Sequence, residues 1–323
     1  MMELEKGKYL ITGATGMIGS AIVGRLLKEG SLNVDCPVRD MARVEDMFDS
    51  DSRAKVHWIE APLEVFLRNI PGQYDYIIHC ACPTSSSYFV EHPVDTISFS
   101  VSTITSLLDY AKVHGVKSIV FLSSLEVYGC ISDDSVVVNE DCQGYVNPLA
   151  PRSSYNMAKR ICESLCAAYH AEYMLPVKIV RLTQTIPSFV RENDMRLYAQ
   201  FVRHAAKGED IVLHTDGFSA RPYIGMEDAV EAILYVLYHG NPGEAYNAAN
   251  EDTYISVRDL AKFIQERFNP SGKVIINRRD DMGYAPFTKL NLDTSKLQSL
   301  GWRPRYGLSE LFGELIGWLK DAK

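Results

Sequence analysis

The stretch that most constrains this chain is its start, where a short apolar strand runs into a loop with glycine at positions 13, 16 and 19 and then into a helix. Residues 8–12 (KYLIT) form a compact apolar run, and residues 17–29 place Ile18, Ile22 and Leu26 on one helical face. Between them lies Gly13-Ala14-Thr15-Gly16-Met17-Ile18-Gly19, a GxxGxxG spacing. Glycine there permits a tight reversal and close backbone approach. The free amides and positive end of the helix that follows stabilise an anion such as a pyrophosphate. Strand, loop and helix together predict a βα unit that holds a dinucleotide.

The same rhythm continues. Strand signals at 33–38, 56–59, 76–80, 118–123 and 177–182 alternate with helix-compatible stretches, notably 94–114 and 154–173. Parallel neighbours need a helix-length crossover, so the pattern predicts an α/β fold built on a doubly wound parallel sheet. Residues 1–182 are expected to form this dinucleotide-binding domain. The sheet is expected to be complete at Leu182, with elements returning to the domain from about 221–250. Residues 183–323 read as a smaller, mixed α/β lobe for substrate, with short strands near 211–213 and Tyr223 and helices near 226–238, 257–268 and 308–319.

A net charge of −8 with no run of like charges leaves no footprint for nucleic acid. No stretch of about 18 apolar residues is present for a membrane span, and a cytoplasmic protein is expected. The seven cysteines contain no CxxC pair and read as reduced, mostly buried thiols; the eight histidines lack metal-ligand spacing, and no metal is expected.

Chemistry is expected at the carboxyl ends of the strands. Ser123-Ser124-Leu125-Glu126-Val127-Tyr128-Gly129 follows the fifth strand, and Tyr155-Asn156-Met157-Ala158-Lys159 puts a phenol and an ammonium on one helical face at i, i+4. A lysine cation beside a tyrosine, with a positively charged nicotinamide, favours the phenolate and pulls the pKa toward working pH, suiting Tyr155 to general-base work. The second strand ends Val38-Arg39-Asp40. Arg39 suits a 2′-phosphate or the adenine face and Asp40 a ribose hydroxyl, so NAD and NADP both stay open.

With these pieces in place the chain resembles the extended short-chain dehydrogenase/reductases of the NAD-dependent epimerase/dehydratase family, which modify nucleotide sugars. The resemblance also rests on His79-Cys80-Ala81-Cys82-Pro83, Arg221-Pro222-Tyr223-Ile224 leading into Glu227-Asp228-Ala229, Asp293-Thr294-Ser295-Lys296 and Leu300-Gly301-Trp302-Arg303-Pro304. It implies a Rossmann domain with a substrate lobe, and a homodimer. It implies bound NAD, with NADP open because of Arg39, held by Gly13, Thr15, Gly16, Met17, Ile18, Gly19, Arg39, Cys80, Ala81, Tyr155 and Lys159. The implied catalytic residues are Tyr155, Lys159, Ser124 and Glu126. Pro83, Ser124, Gln184 and Arg221 would contact a nucleotide sugar, expected to be UDP-linked, with Arg221 on its diphosphate. The Ser-x-Glu-Val-Tyr-Gly pattern and NPLAPRSSYNMAKR (147–160) are most similar to UDP-glucuronate decarboxylases. The resemblance leaves a UDP-sugar 4-epimerase or an NADP-dependent 4-keto-sugar reductase as alternatives. Leu125 stands where 4,6-dehydratases carry an acid. Gln184 in Arg181-Leu182-Thr183-Gln184, Ile186-Pro187, and Ala61-Pro62-Leu63 depart from the decarboxylase pattern.

Overall fold

A computed structural model describes the chain except for residues 1, 29, 31–32, 132, 134, 193, 280–286 and 322–323. Seven parallel strands form the main sheet: β1 (Lys8–Thr12), β2 (Asn33–Val38), β3 (His57–Glu60), β4 (Tyr76–His79), β5 (Ser118–Ser124), β6 (Val177–Leu182) and β7 (Ala245–Ala248), in the order β7-β6-β5-β4-β1-β2-β3. The order reverses beside β1, so the glycine loop opens at the topological switch point, where this architecture leaves a crevice for a ligand.

The helices α1 (Met17–Leu27), α2 (Pro93–His114), α3 (Ser154–Tyr173) and α4 (Met226–His239) cover the sheet. Side chains alternate along each strand. Tyr9, Ile11, Ile78, Val120 and Val180 pack with α1 and α4, while Leu10, Ile77, Ile119, Phe121 and Ile179 pack with α2 and α3. Both faces are thereby buried, which is why these strands read as nearly continuous apolar runs. Glu29, the expected last residue of the first helix, lies outside the described residues.

The sheet does not close at Leu182. Its seventh strand, β7, arrives later and pairs with β6 through Ala245 opposite Ile179 and Ala248 opposite Leu182. Four residues (AYNA) carry too little periodicity to announce a strand, and only the pairing with β6 makes them one. The remainder builds the lobe: Gln184–Ile186 and Asn250–Ser256 flank Ala220–Gly225 in a three-stranded sheet, over the helices Leu197–Lys207, Val257–Phe268 and Leu308–Asp321. Their core includes Tyr198, Phe201, Leu260, Ile264, Phe312 and Leu315. Trp302 is buried against α4 and donates to the Asp228 carbonyl at 3.1 Å, while the Asp228 carboxylate accepts from Arg305 Nε at 2.8 Å. Of the cysteines, Cys36, Cys162 and Cys166 are buried, but Cys80, Cys82, Cys130 and Cys142 are only partly so, fewer than the sequence suggested.

Candidate active site

The glycine loop is packed to the limit of what backbone allows. Gly13 adopts φ +72°, open to glycine at little cost, and a Cβ there would lie 2.8 Å from the Ala81 nitrogen at the end of β4. A Cβ on Gly19 would lie 2.2 Å from the Gly13 oxygen. Gly16 caps α1 with extended backbone and no side-chain hydrogen bond, and the first turn carries no acidic residue. A helix start left uncapped by side chains, in a cradle without room for Cβ atoms, fits the pyrophosphate of a dinucleotide. The Met17 sulfur accepts from Arg196 Nη1 at 3.0 Å.

Beneath the loop, His79 bridges β1 and α2. Thr103 Oγ1 donates to the Phe99 carbonyl at 2.8 Å and lies 3.3 Å from His79 Nε2, while Thr12 Oγ1 lies 2.7 Å from Nδ1. Thr103 spends its proton on Phe99, so Nε2–H donates to Thr103 and Nδ1 accepts from Thr12. Burial, first, and then the Lys159 cation hold the imidazole neutral, with its pKa lowered to about 3. At the β2 end Arg39 and Asp40 are exposed; Asp40 caps the next helix by accepting from the Ala42 amide at 2.9 Å, so one of its oxygens is already engaged.

Ser124 ends β5 and Tyr155 opens α3, and the Ser124 side chain lies close enough to the phenol to lower its pKa. Lys159, one turn on, is buried and donates from Nζ to the Leu122 carbonyl at 2.6 Å, 5.7 Å from the Tyr155 ring centre. Phe89 stacks on Tyr155 with ring centres 4.3 Å apart and planes 12° off parallel, which fixes the phenol's plane. Burial pushes the phenol up to about 12, and Lys159 and Ser124 pull it down by less. Burial also works against the Lys159 charge, but Cys82, Tyr155 and Cys162 around it carry its pKa upward. Cys82, half-exposed and 3.5 Å from Ser100 Oγ, is thus a site neighbour that its sequence context did not mark.

The turn after Ser124 (Leu125–Tyr128) splits two adjacent side chains. Leu125 is buried in an apolar cluster with Leu290 and Leu292. Glu126 faces a cavity of about 540 Å³ that Asn156, Arg152 and Arg221 also line. Asn156 Nδ2 donates to the Glu126 carboxylate at 2.9 Å and to its carbonyl at 2.7 Å, and Arg152 Nη2 lies 3.6 Å from the carboxylate. Ser124, Tyr155, Lys159, Pro83 and Gln184 are not part of this lining. Gln184 pairs with Tyr223 through backbone, two residues from Arg221. The sequence reading gave Arg152 and Asn156 no role, although their spacing from Tyr155, three residues before and one after, brings them to the same end of α3.

Beneath this turn lies a buried network. Ser123 Oγ donates to Glu163 at 2.5 Å, Arg181 clasps Glu163 with contacts of 2.7–3.2 Å, and Arg181 also donates to the Tyr128 hydroxyl at 3.0 Å. It ties the turn bearing Ser124 and Glu126 to α3 and β6.

Residues 9–249 match the NAD dependent epimerase/dehydratase family. The chain belongs to that family. Curated relatives include UDP-glucuronic acid decarboxylase 3 of Arabidopsis thaliana, 28% identical over 313 residues that cover 94% of this chain and 86% of that protein. UDP-glucuronic acid decarboxylase 1 of Xenopus tropicalis is 26% identical, over 99% of this chain and 74% of its own length. Among solved structures, the UDP-glucose 4-epimerase of Thermotoga maritima superposes with a TM-score of 0.79 at 22% identity, over 98% of this chain and 99% of that one. The UDP-N-acetylglucosamine 4-epimerase of Methanobrevibacter ruminantium M1 gives 0.82 at 20% identity, over 99% and 100%. The chain is therefore an NAD-dependent enzyme of this fold.

Proposed function

We propose that the protein is a UDP-glucuronate decarboxylase that oxidises the sugar at C4, releases carbon dioxide and leaves a UDP-pentose. The observation that carries this reading is Glu126 turned into a cavity shared with Arg221, two residues beyond Ser124, whose side chain lies close to Tyr155. When bound, NAD supplies a reversible two-electron acceptor, which oxidation of a secondary alcohol requires. Tyr155 takes the proton of the C4 hydroxyl, with Ser124 orienting the same oxygen and Lys159 opposing the cost of the phenolate. Once C4 is a ketone, a C5 carboxylate is a β-keto acid. The C5–C6 bond then breaks, carbon dioxide departs, and the electron pair moves onto the C4 oxygen; C5 next takes a proton, and return of the hydride to C4 regenerates NAD and leaves the UDP-pentose. Ser124 and Tyr155 donate hydrogen bonds to that oxygen as its charge grows. Arg221 has no carboxylate partner among the described residues, and its planar fork of donors suits the diphosphate.

Leu125 supports decarboxylation over 4,6-dehydration, because an apolar side chain cannot protonate a leaving hydroxyl. A 4-epimerase remains the second reading, supported by the fold likeness to two 4-epimerases. On this reading the protein is a cytoplasmic homodimer, checked by light scattering. The test is product analysis after incubating the protein with UDP-glucuronate, UDP-glucose or UDP-N-acetylglucosamine, with NAD or NADP and no reductant. Loss of carbon dioxide from UDP-glucuronate is expected; an isomer of unchanged mass from a neutral sugar would install the epimerase reading instead.

A further inference from the structure

Arg152 is the unexplained group in this cavity. Its side chain is 19% exposed, its guanidinium lies over the Phe89 ring at 5.2 Å, and Glu126 sits at 3.6 Å, beyond hydrogen-bond contact. The Glu126 carboxylate takes its hydrogen bond from Asn156 instead. Among the described residues Arg152 donates no hydrogen bond. Its nitrogens are not among the buried atoms left without a partner, so they open onto the cavity where an incoming acceptor can reach them. The acceptor that matches its fork is a planar pair of oxygens.

We propose that Arg152 is the specificity residue that binds the sugar's carboxylate, so that the site selects a uronate over a neutral hexose. This rests on the decarboxylase reading above and names the group that makes it selective. Phe89 spans the two ends of the arrangement, stacked on Tyr155 and carrying Arg152. The Phe89 ring thus links the position of Arg152 to that of the phenol that serves C4. Arg152 also stands between the incoming charge and Glu126, and screens two like charges from each other. As the C5–C6 bond breaks, negative charge leaves the carboxylate for the C4 oxygen, and neutral carbon dioxide is released. The contact is therefore stronger in the ground state than in the transition state, and it contributes to KM rather than to kcat.

The experiment compares wild type with Arg152→Met and Arg152→Lys in steady-state decarboxylation. Equilibrium binding of UDP-glucuronate and of the UDP-pentose is measured in a Tyr155→Phe background, where no turnover intervenes. Arg152→Met is expected to weaken UDP-glucuronate about 30-fold, the ratio for a charge-assisted pair of about 2 kcal/mol. UDP-pentose affinity stays unchanged, and kcat stays the same or rises, because the lost contact holds the ground state more than the transition state. Arg152→Lys keeps the charge but loses the fork, and falls between. Equal losses for both nucleotides, or a loss confined to kcat, would make Arg152 a structural support for Glu126 and overturn the proposal. Unchanged UDP-glucuronate binding in an enzyme that still decarboxylates it would overturn the Arg152 assignment alone. If wild type releases no carbon dioxide from UDP-glucuronate, the decarboxylase reading falls and takes this assignment with it.

Discussion

Two glycines of α1 face opposite fates when given a methyl group. Alanine is better than glycine in a helix interior by about 1 kcal/mol. At Gly24 nothing lies within 4 Å of the added Cβ, so Gly24→Ala collects most of that gain. At Gly19 the Cβ would stand 2.2 Å from the Gly13 oxygen and 2.8 Å from its carbonyl carbon, where ordinary contact begins at 3.4 Å. The obstacle is backbone already committed to φ +72° and pressed against Ala81, so no rotamer change relieves it. At 2.2 Å the overpacking lies at the upper end of its usual range, about 2–3 kcal/mol, which outweighs the propensity gain of about 1 kcal/mol and leaves a net loss of about 1–2 kcal/mol. For 323 residues the unfolding entropy makes 1 kcal/mol worth about 1.5 °C. Gly19→Ala should therefore lower Tm by about 2–3 °C and Gly24→Ala raise it by about 1 °C. Relief at Gly19 must move the loop that cradles the pyrophosphate, so NAD affinity should fall about tenfold, or 1.4 kcal/mol, in that variant and stay unchanged in the other. Calorimetric unfolding and NAD titration of the pair decide it. A Gly19→Ala protein that melts no lower and binds NAD as tightly would refute the close-packed loop as the cofactor cradle.

Three further outcomes follow from the buried polar groups. Glu163→Gln strands the Arg181 charge, each side chain being about a tenth exposed, and should cost about 3–5 kcal/mol in urea unfolding; a loss under about 1 kcal/mol would show that the network does not hold the Ser124 turn. His79 titrates at 6.5 when unfolded and near 3 when folded, so below pH 6.5 the unfolded state takes up a proton the native state refuses. Stability should fall with pH through that window, and His79→Gln should flatten the fall when urea midpoints are compared at pH 7 and about pH 5. In carbon-13 NMR of the cofactor-free protein, Tyr155 should stay neutral at pH 10 while exposed tyrosines ionise, and adding NAD, whose oxidised ring is cationic, should lower its pKa; ionisation below pH 9 without cofactor would contradict the dominance of burial.

The elements legible in the sequence were those with local causes. The helices at 154–173 and 257–268 have the bounds their periodicity indicated, the second because Ser256 caps it through the Asp259 amide at 3.0 Å. β7 had no such cause: Ala245–Ala248 is a strand because β6 offers it an edge, and the Gln184–Ile186 strand exists through its pairing with Ala220–Gly225. The site divides the same way. Tyr155 and Lys159 meet because i, i+4 spacing dictates it, whereas the depth at which both are buried comes from the packing around them. Arg152 and Phe89 are far apart in the chain, and only the packing of the helix Ser86–Glu91 against the start of α3, fixed by Ser154 Oγ donating to the Phe89 carbonyl at 3.1 Å, brings them together.

The turn after β5 shows how one backbone device can separate reactions that share an oxidation at C4. Ser124 caps the turn by accepting from the Glu126 amide at 3.3 Å, and Gly129 closes it at φ +65°, where a Cβ would stand 2.4 Å from the Tyr145 oxygen. Between these fixed ends the tight pitch sends Leu125 into an apolar cluster that forms part of the cavity wall and turns Glu126 into the cavity itself. An acid at position 125 would therefore lie among Leu290, Leu292 and Ala249, where a carboxyl group without partners costs several kcal/mol. Converting this site to dehydration thus requires rebuilding the apolar wall as well as exchanging one residue. The wall confines charge in the cavity to Glu126, Arg152 and Arg221, an arrangement suited to a substrate anionic at both ends.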